Sequence, residues 1–218
     1  MTWPQRLLYR SVRRLVLAVS HLLFAVTIEG AERVPAEGTF VLAPVHRSNV
    51  DFALASLVTT RRMRFMAKDS LFKVPGLGQW VSALGAYPVN RGTADRDALR
   101  RTEDCLKRGE PVVMFPEGTR KSGPVIDRVF EGVAFVAARN GVPVIPVGIG
   151  GSERAMPKGA RMIRPVRIHI VVGEPIWADW SVDQGRPPRR VVHALTERVH
   201  TELQEVFDRA DARAGARR

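Results

Sequence analysis

The chain has 218 residues, 45% hydrophobic and 26% charged. That length makes one domain able to bury about two-thirds of its unfolded surface, and the apolar content excludes an intrinsically disordered chain. The 34 Lys and Arg exceed the 22 acids by a net +12, so the expected partner is anionic: a nucleic acid, an anionic membrane or a phosphorylated substrate.

The chain opens with Arg6, Arg10, Arg13 and Arg14, and no acid precedes Glu29. An apolar run from Leu15 to Ile28 follows, short of the about 20 residues that a spanning helix needs. On a helical wheel the four arginines share one side, with Leu8, Val12, Leu15, Val19, Leu22 and Val26 opposite. Three readings stand. One is a basic amphipathic helix lying in an anionic membrane interface; another is a helix packed on its own domain with a solvated Arg face. The third is a signal peptide, for which Thr27-Ile28-Glu29-Gly30 is a poor cleavage site. Residues 1–28 are therefore expected as a helical, membrane-associating segment, 29–210 as the main domain and 211–218 as a frayed basic tail.

From there, short β-rich runs alternate with helical stretches. Strands are expected at Thr39–Pro44, Met63–Ala67, Ala86–Val89, Pro111–Phe115, Val144–Ile149 and Val166–Val172. Helices are expected at Asn49–Thr60, Trp80–Leu84, Thr93–Arg108, Val129–Asn140 and Val191–Ala210. The Asn140-Gly141 pair is a good helix C-cap. This alternation predicts one α/β domain with a buried, largely parallel or mixed sheet flanked by helices, with ligands gathering at strand ends.

Four segments at predicted strand ends carry the polar chemistry. In Val45-His46-Arg47-Ser48-Asn49-Val50-Asp51, a His follows a strand and an Asp lies in the first turn of the next helix, with Ser48 or Asn49 suited to cap it. Asp51 can turn back onto one imidazole nitrogen and leave the other as a general base; equally, the pair can simply staple a turn. No Gly-x-Ser-x-Gly is present, so a base here would act on a substrate hydroxyl. Phe115-Pro116-Glu117-Gly118-Thr119-Arg120 follows another strand. Gly118 permits close backbone approach, Thr119 and Arg120 are donors suited to phosphate, and Glu117 can hold an Arg in place; an ordinary exposed turn is the alternative. Gly85 to Gly92 ends a strand at Arg91, which alone reads as a solvated cation. Val142 to Gly148, broken by Pro143 and Pro146, reads as core or an edge strand.

In this order and spacing the four segments resemble the motifs of the 1-acyl-glycerol-3-phosphate O-acyltransferase family, the wider glycerolipid acyltransferases, from about Phe40 to Ile149. The resemblance implies an enzyme moving an acyl group from an acyl thioester to the sn-2 hydroxyl of lysophosphatidic acid, giving phosphatidic acid. It implies His46 as catalytic base with Asp51 as its partner. It implies that Arg91, Glu117, Gly118, Thr119 and Arg120 bind the glycerol phosphate, and Lys68 through a softer match. Ser48, Asn49 and Pro146 would shape the site. No resident cofactor or metal is implied; acyl-CoA or acyl carrier protein serves as co-substrate. The first helical segment resembles the membrane-associating helices of bacterial members, which implies a peripheral or monotopic protein on the cytoplasmic face of the cell membrane.

Glycerol 3-phosphate or another lysophospholipid is the alternative acceptor. A basic, non-catalytic membrane- or nucleic-acid-binding protein is the alternative of another class; for nucleic acid, no aromatic-bearing RNA motif, helix-turn-helix or zinc finger is recognisable. Cys105 reads as structural, and His21, His169, His193 and His200 as surface or packing residues without metal-ligand spacing. Gly148 to Gly151 reads as a turn. Lys158, Arg161, Arg164 and Arg167 form a basic stretch that faces lipid phosphates, the phosphates of a CoA donor, or only water.

Overall fold

A computed structural model describes residues 3–89 and 96–215. The elements in chain order are α1 (Trp3–Phe24), β1 (Thr27–Glu29), β2 (Val41–Pro44), α2 (Asp51–Ala55), β3 (Arg64–Lys68), α3 (Leu77–Ala83) and β4 (Ala86–Val89). Then follow α4 (Arg96–Lys107), β5 (Val112–Val113), α5 (Gly132–Asn140), β6 (Val144–Gly150), α6 (Ser152–Ala155), β7 (His169–Val172) and α7 (Arg189–Ala214). The seven strands form one sheet in the order β1-β7-β6-β2-β5-β3-β4. Every neighbouring pair is parallel except β6 with β7. The expected α/β domain with a mixed, mostly parallel sheet is what the chain forms. The parallel ladders put the C-terminal ends of β2, β3, β4, β5 and β6 on one edge, where ligand sites of such sheets collect.

Side chains alternate across the strands into two buried clusters. Leu42, Val113, Ile145, Val147 and Ile149 lie in one cluster with Leu54 and Ala55 of α2. Val41, Ala43, Val112, Met114 and Val144 lie in the other with Cys105 of α4 and Val133 to Ala138 of α5. All seven residues of β6 are buried, as expected of a strand covered on both faces. α7 buries Val192, Leu195, Val199, Leu203, Val206 and Ala210, the three-and-four spacing of a helix stripe. Its first half joins the second cluster and its later half the first.

Several boundaries differ from the sequence expectation for physical reasons. The apolar run to Ile28 is not one helix. α1 ends at Phe24, Ala25 turns the chain with φ of 42°, and Thr27–Glu29 pairs with His169–Val171 as an edge strand. Nor do the arginines form one solvated side, because Arg13 turns inward and donates to the carbonyl of Thr59 at 3.0 Å. The outward face instead mixes Arg10 and Arg14 with exposed Leu7, Leu15, Val19 and Leu22. No described helix is long and apolar enough to cross a membrane.

The expected helix from Asn49 begins at Asp51 and passes into a 3-10 turn at Ser56–Val58. The N-cap position falls on Val50 rather than on Ser48 or Asn49, and Ser48 Oγ only accepts a long bond from the Val50 N–H at 3.4 Å. The expected frayed tail is helical to Ala214, where Ala210 and Ala214 are buried and Asp211 pairs with Arg154 at 3.5 Å.

The proline-bearing segment is interior rather than an edge. Pro146 pairs with Ala43 of β2, and its carbonyl accepts from Gly173 on the β7 side. The N–H that proline lacks is therefore not one that β2 needs. Gly148 and Gly150 are strand residues rather than a turn: a Cβ on either would collide with the α7 backbone at Val206 or Ala210. Their role is close helix–sheet approach.

Candidate active site

His46 lies two residues past β2, and Asp51 opens α2. Asp51 Oδ2 stands 3.1 Å from His46 Nδ1 and also accepts from the backbone N–H of Arg47 and of Ser48, each at 2.6 Å. Two backbone donors converge on this oxygen because the turn folds back over the carboxylate. A carboxylate acceptor on Nδ1 fixes the ring proton there and leaves Nε2 as the basic nitrogen. Nε2 has no partner among the described residues. The His46 side chain is 10% exposed. It stacks on Phe115 with ring centroids 4.1 Å apart, so its plane is held from β5 as well as from α2.

Beneath the dyad lies a buried ion pair. Arg47 and Glu117 both have 0% exposure, and Arg47 Nη1 donates to Glu117 Oε2. Glu117 Oε1 accepts from the backbone N–H of His46 at 2.8 Å. Both Glu117 oxygens are thus engaged by protein, and the carboxylate is not placed to touch an acceptor, unlike the role the resemblance implies. Arg47 also donates through Nε to the Gly123 carbonyl at 3.1 Å and through Nη2 to the Val125 carbonyl at 3.2 Å. From α7, Gln204 accepts from Ile126 N–H at 2.8 Å and donates to the Pro124 carbonyl at 3.0 Å. His200 Nε2 lies 2.5 Å from the Ile126 carbonyl. The strap 123–126 is therefore fixed by side chains rather than by a ladder.

Of the expected phosphate-binding residues, Gly118, Thr119, Arg120 and Lys68 lie at this edge of the sheet. Lys121 N–H donates to the His46 carbonyl at 2.9 Å, which ties the Phe115–Arg120 turn to the base. Gly118 has φ of 65°, and an added Cβ would stand 2.9 Å from the Phe130 ring. Gly118 and Thr119 are exposed. Arg120 is half-buried, and its Nη1 is shielded from solvent without a hydrogen-bond partner among the described residues. Lys68 ends β3 opposite Val89 and is exposed. Arg91, two positions beyond Val89, lies outside the described residues. Ser48 is fully buried and donates through Oγ to the Met156 carbonyl at 2.9 Å. Asn49 is exposed, and Pro146 lies inside β6.

The sequence assigns Arg47 no role of its own; the expectation that Glu117 holds an Arg in place does not name it, and the structure shows that Arg47 is that residue. Gln204 and His200 carried no sequence signal. The other titratable candidates fall outside the site. Cys105 is buried beside Arg108, and burial raises its thiol above the usual range despite that guanidinium. His169 is buried and contacts Thr27 across β1 and β7.

The family model described as Acyltransferase matches residues 25–150, which carry the whole His46–Asp51 and Phe115–Arg120 assembly. The chain belongs to the acyltransferase family. A chloroplastic 1-acyl-sn-glycerol-3-phosphate acyltransferase of Brassica napus is 30% identical over 167 residues, 73% of this chain and 48% of its own. The chain thus spans about half the length of that relative. A 1-acyl-sn-glycerol-3-phosphate acyltransferase of Bacillus subtilis is 25% identical over 94% of this chain and 99% of its own. Among solved structures, the 1-acyl-sn-glycerophosphate (LPA) acyltransferase of Thermotoga maritima superposes with a TM-score of 0.74 at 25% identity. That match covers 93% of this acyltransferase and 80% of the other chain.

Proposed function

We propose that this acyltransferase transfers an acyl group from an acyl thioester to the sn-2 hydroxyl of 1-acyl-glycerol 3-phosphate, giving phosphatidic acid for phospholipid synthesis. The observation that carries the reading is a His46 whose Nδ1 is committed to Asp51 and whose Nε2 has no partner among the described residues, on the same edge as an Arg120 whose Nη1 has no hydrogen-bond partner among them. The relatives' names supply the acceptor class.

In the reaction, Nε2 takes the proton of the glycerol hydroxyl as that oxygen attacks the thioester carbonyl. The tetrahedral oxyanion collapses, the carbon–sulfur bond breaks, and the imidazolium returns the proton to the departing thiolate. Asp51 stabilises the transient imidazolium, and no acyl-enzyme forms. A positioned base of this kind contributes about 10²- to 10⁴-fold. Arg120, with Thr119, Arg91 and Lys68, grips the acceptor phosphate and turns its free hydroxyl toward His46. Glu117 acts as a positioning residue through Arg47 and the His46 backbone. The donor is acyl-CoA or acyl carrier protein.

The outward face of α1, with Leu15, Val19 and Leu22 beside Arg10 and Arg14, supports seating in an anionic membrane interface; we extend this proposal to the cytoplasmic face of the cell membrane. The deciding assay offers labelled acyl-CoA with lysophosphatidic acid, glycerol 3-phosphate or a zwitterionic lysolipid. Transfer to lysophosphatidic acid above the other two, lost in His46→Ala with folding intact, is expected. Equal transfer by His46→Ala would remove the imidazole from the mechanism.

A further inference from the structure

We propose that the loop 156–168, between α6 and β7, is a second membrane anchor that presses the mouth of the His46 site onto an anionic bilayer. The inference rests on the acceptor reading above, since it supposes a lipid acceptor delivered from a membrane.

Met162 is 79% exposed and Ile163 44% exposed, side by side at the tip. Arg161 and Arg164 flank them, Lys158 and Arg167 lie beyond, and all four are exposed. No acid occurs between Glu153 and Glu174. An apolar tip set in a purely cationic collar complements an anionic headgroup layer over a hydrocarbon interior.

The loop is built rather than slack. Arg164 N–H donates to the Ala155 carbonyl at 2.8 Å and closes its neck, and Ala160 N–H donates to Pro157 at 3.0 Å within it. Val166 packs on the core. Tip and collar therefore point away from a fixed base.

The base also sets where the tip stands. At one end the Met156 carbonyl accepts from Ser48 Oγ, inside the turn that carries His46 and Asp51. At the other end Ile168 N–H donates to the Phe24 carbonyl, and the Ile168 carbonyl accepts from Thr27. The loop thus bridges the catalytic turn and the end of α1, whose last turns expose Val19 and Leu22, the latter at 85%. A surface that takes up Leu22 and Met162 together lies across the rim of the site, and an acyl chain passing from bilayer to His46 need not cross water.

The test uses the full chain and two kinds of vesicle, phosphatidylcholine alone and phosphatidylcholine mixed with phosphatidylglycerol. For Met162→Glu/Ile163→Glu, cosedimentation with the anionic vesicles should weaken by about tenfold or more. Transfer to vesicle-borne lysophosphatidic acid should fall in parallel, while transfer to a dispersed short-chain lysophosphatidic acid stays within about twofold and the melting temperature is unchanged. For Arg161→Ser/Arg164→Ser, binding should fall on the anionic vesicles and not on the neutral ones. Undiminished vesicle binding by the Glu variant would overturn the proposal. So would an equal loss on the short-chain acceptor, or an equal effect of the Arg variant on both vesicles. If the wild-type chain transfers no acyl group at all, the acceptor reading fails, and cosedimentation alone still decides the anchor.

Discussion

Replacing Glu117 with Gln isolates the buried pair beneath the dyad. The amide keeps an oxygen for the His46 N–H but leaves the Arg47 guanidinium, at 0% exposure, without a counter-ion. Breaking one side of such a pair costs about 3–5 kcal/mol. In a chain of this length each kcal/mol lowers the melting temperature by about 2–4 °C, so the variant should melt roughly 6–20 °C lower. Arg47→Met/Glu117→Gln removes the stranded charge as well and should regain part of the loss. Recovery stays incomplete because Arg47 also holds the Gly123 and Val125 carbonyls. Thermal and urea unfolding of wild type, both single variants and the double variant close the cycle. A Glu117→Gln protein within about 1 kcal/mol of wild type, or a double variant as unstable as the two singles summed, would refute the claim that a desolvated ion pair underlies the site.

Gly148→Ala should destabilise by about 1–3 kcal/mol, because the new methyl meets the α7 backbone at Val206 rather than a side chain that can yield; differential scanning calorimetry reads it. Gln204→Ala should cost about 1–3 kcal/mol by stranding Ile126 N–H, and should lower kcat more than it raises KM for the acceptor, since the strap supports Arg47 and not the phosphate site. Burial alone would raise the Glu29 carboxyl, but hydrogen bonding and charge from Arg209, with Arg213 and His169, outweigh it and hold the pKa below 4.5. A lowered folded pKa means stability present above the unfolded value and lost as pH falls through the folded one. Glu29→Gln should therefore weaken the fold at neutral pH, with the difference from wild type closing as pH falls through and below the ordinary carboxylate range in urea titrations.

What was legible in the sequence and what was not follows the range of the interactions involved. His46, Asp51 and the Phe115–Arg120 turn were visible because their polar residues follow apolar strand runs, and the structure brings them to one edge. The alternation of periods foretold the parallel sheet. The split of the run to Ile28 was hidden, because an edge strand of three residues has no period of its own and is decided by pairing with Thr27's partner His169, far along the chain. The burial of Arg47 was not legible because arginine is ordinarily exposed; only the distant Glu117 allows it. Gly148 and Gly150 looked like turn residues because a backbone approaching from α7 leaves no mark in local sequence. The strap was illegible for the same reason, as its partners Gln204 and His200 lie more than 70 residues away.

The placement of α7 gives the site an order of assembly. A chain made from its N-terminus releases the imidazole, its carboxylate and the Phe115–Arg120 turn while Gln204 and His200 are still unsynthesised. Until that helix emerges, β6 lacks its cover and the peptide groups of Pro124 and Ile126 must find other partners, in water or on a chaperone. Catalytic competence should therefore arrive late and abruptly in a translation time course, when the helix docks, rather than accrue as each motif leaves the ribosome.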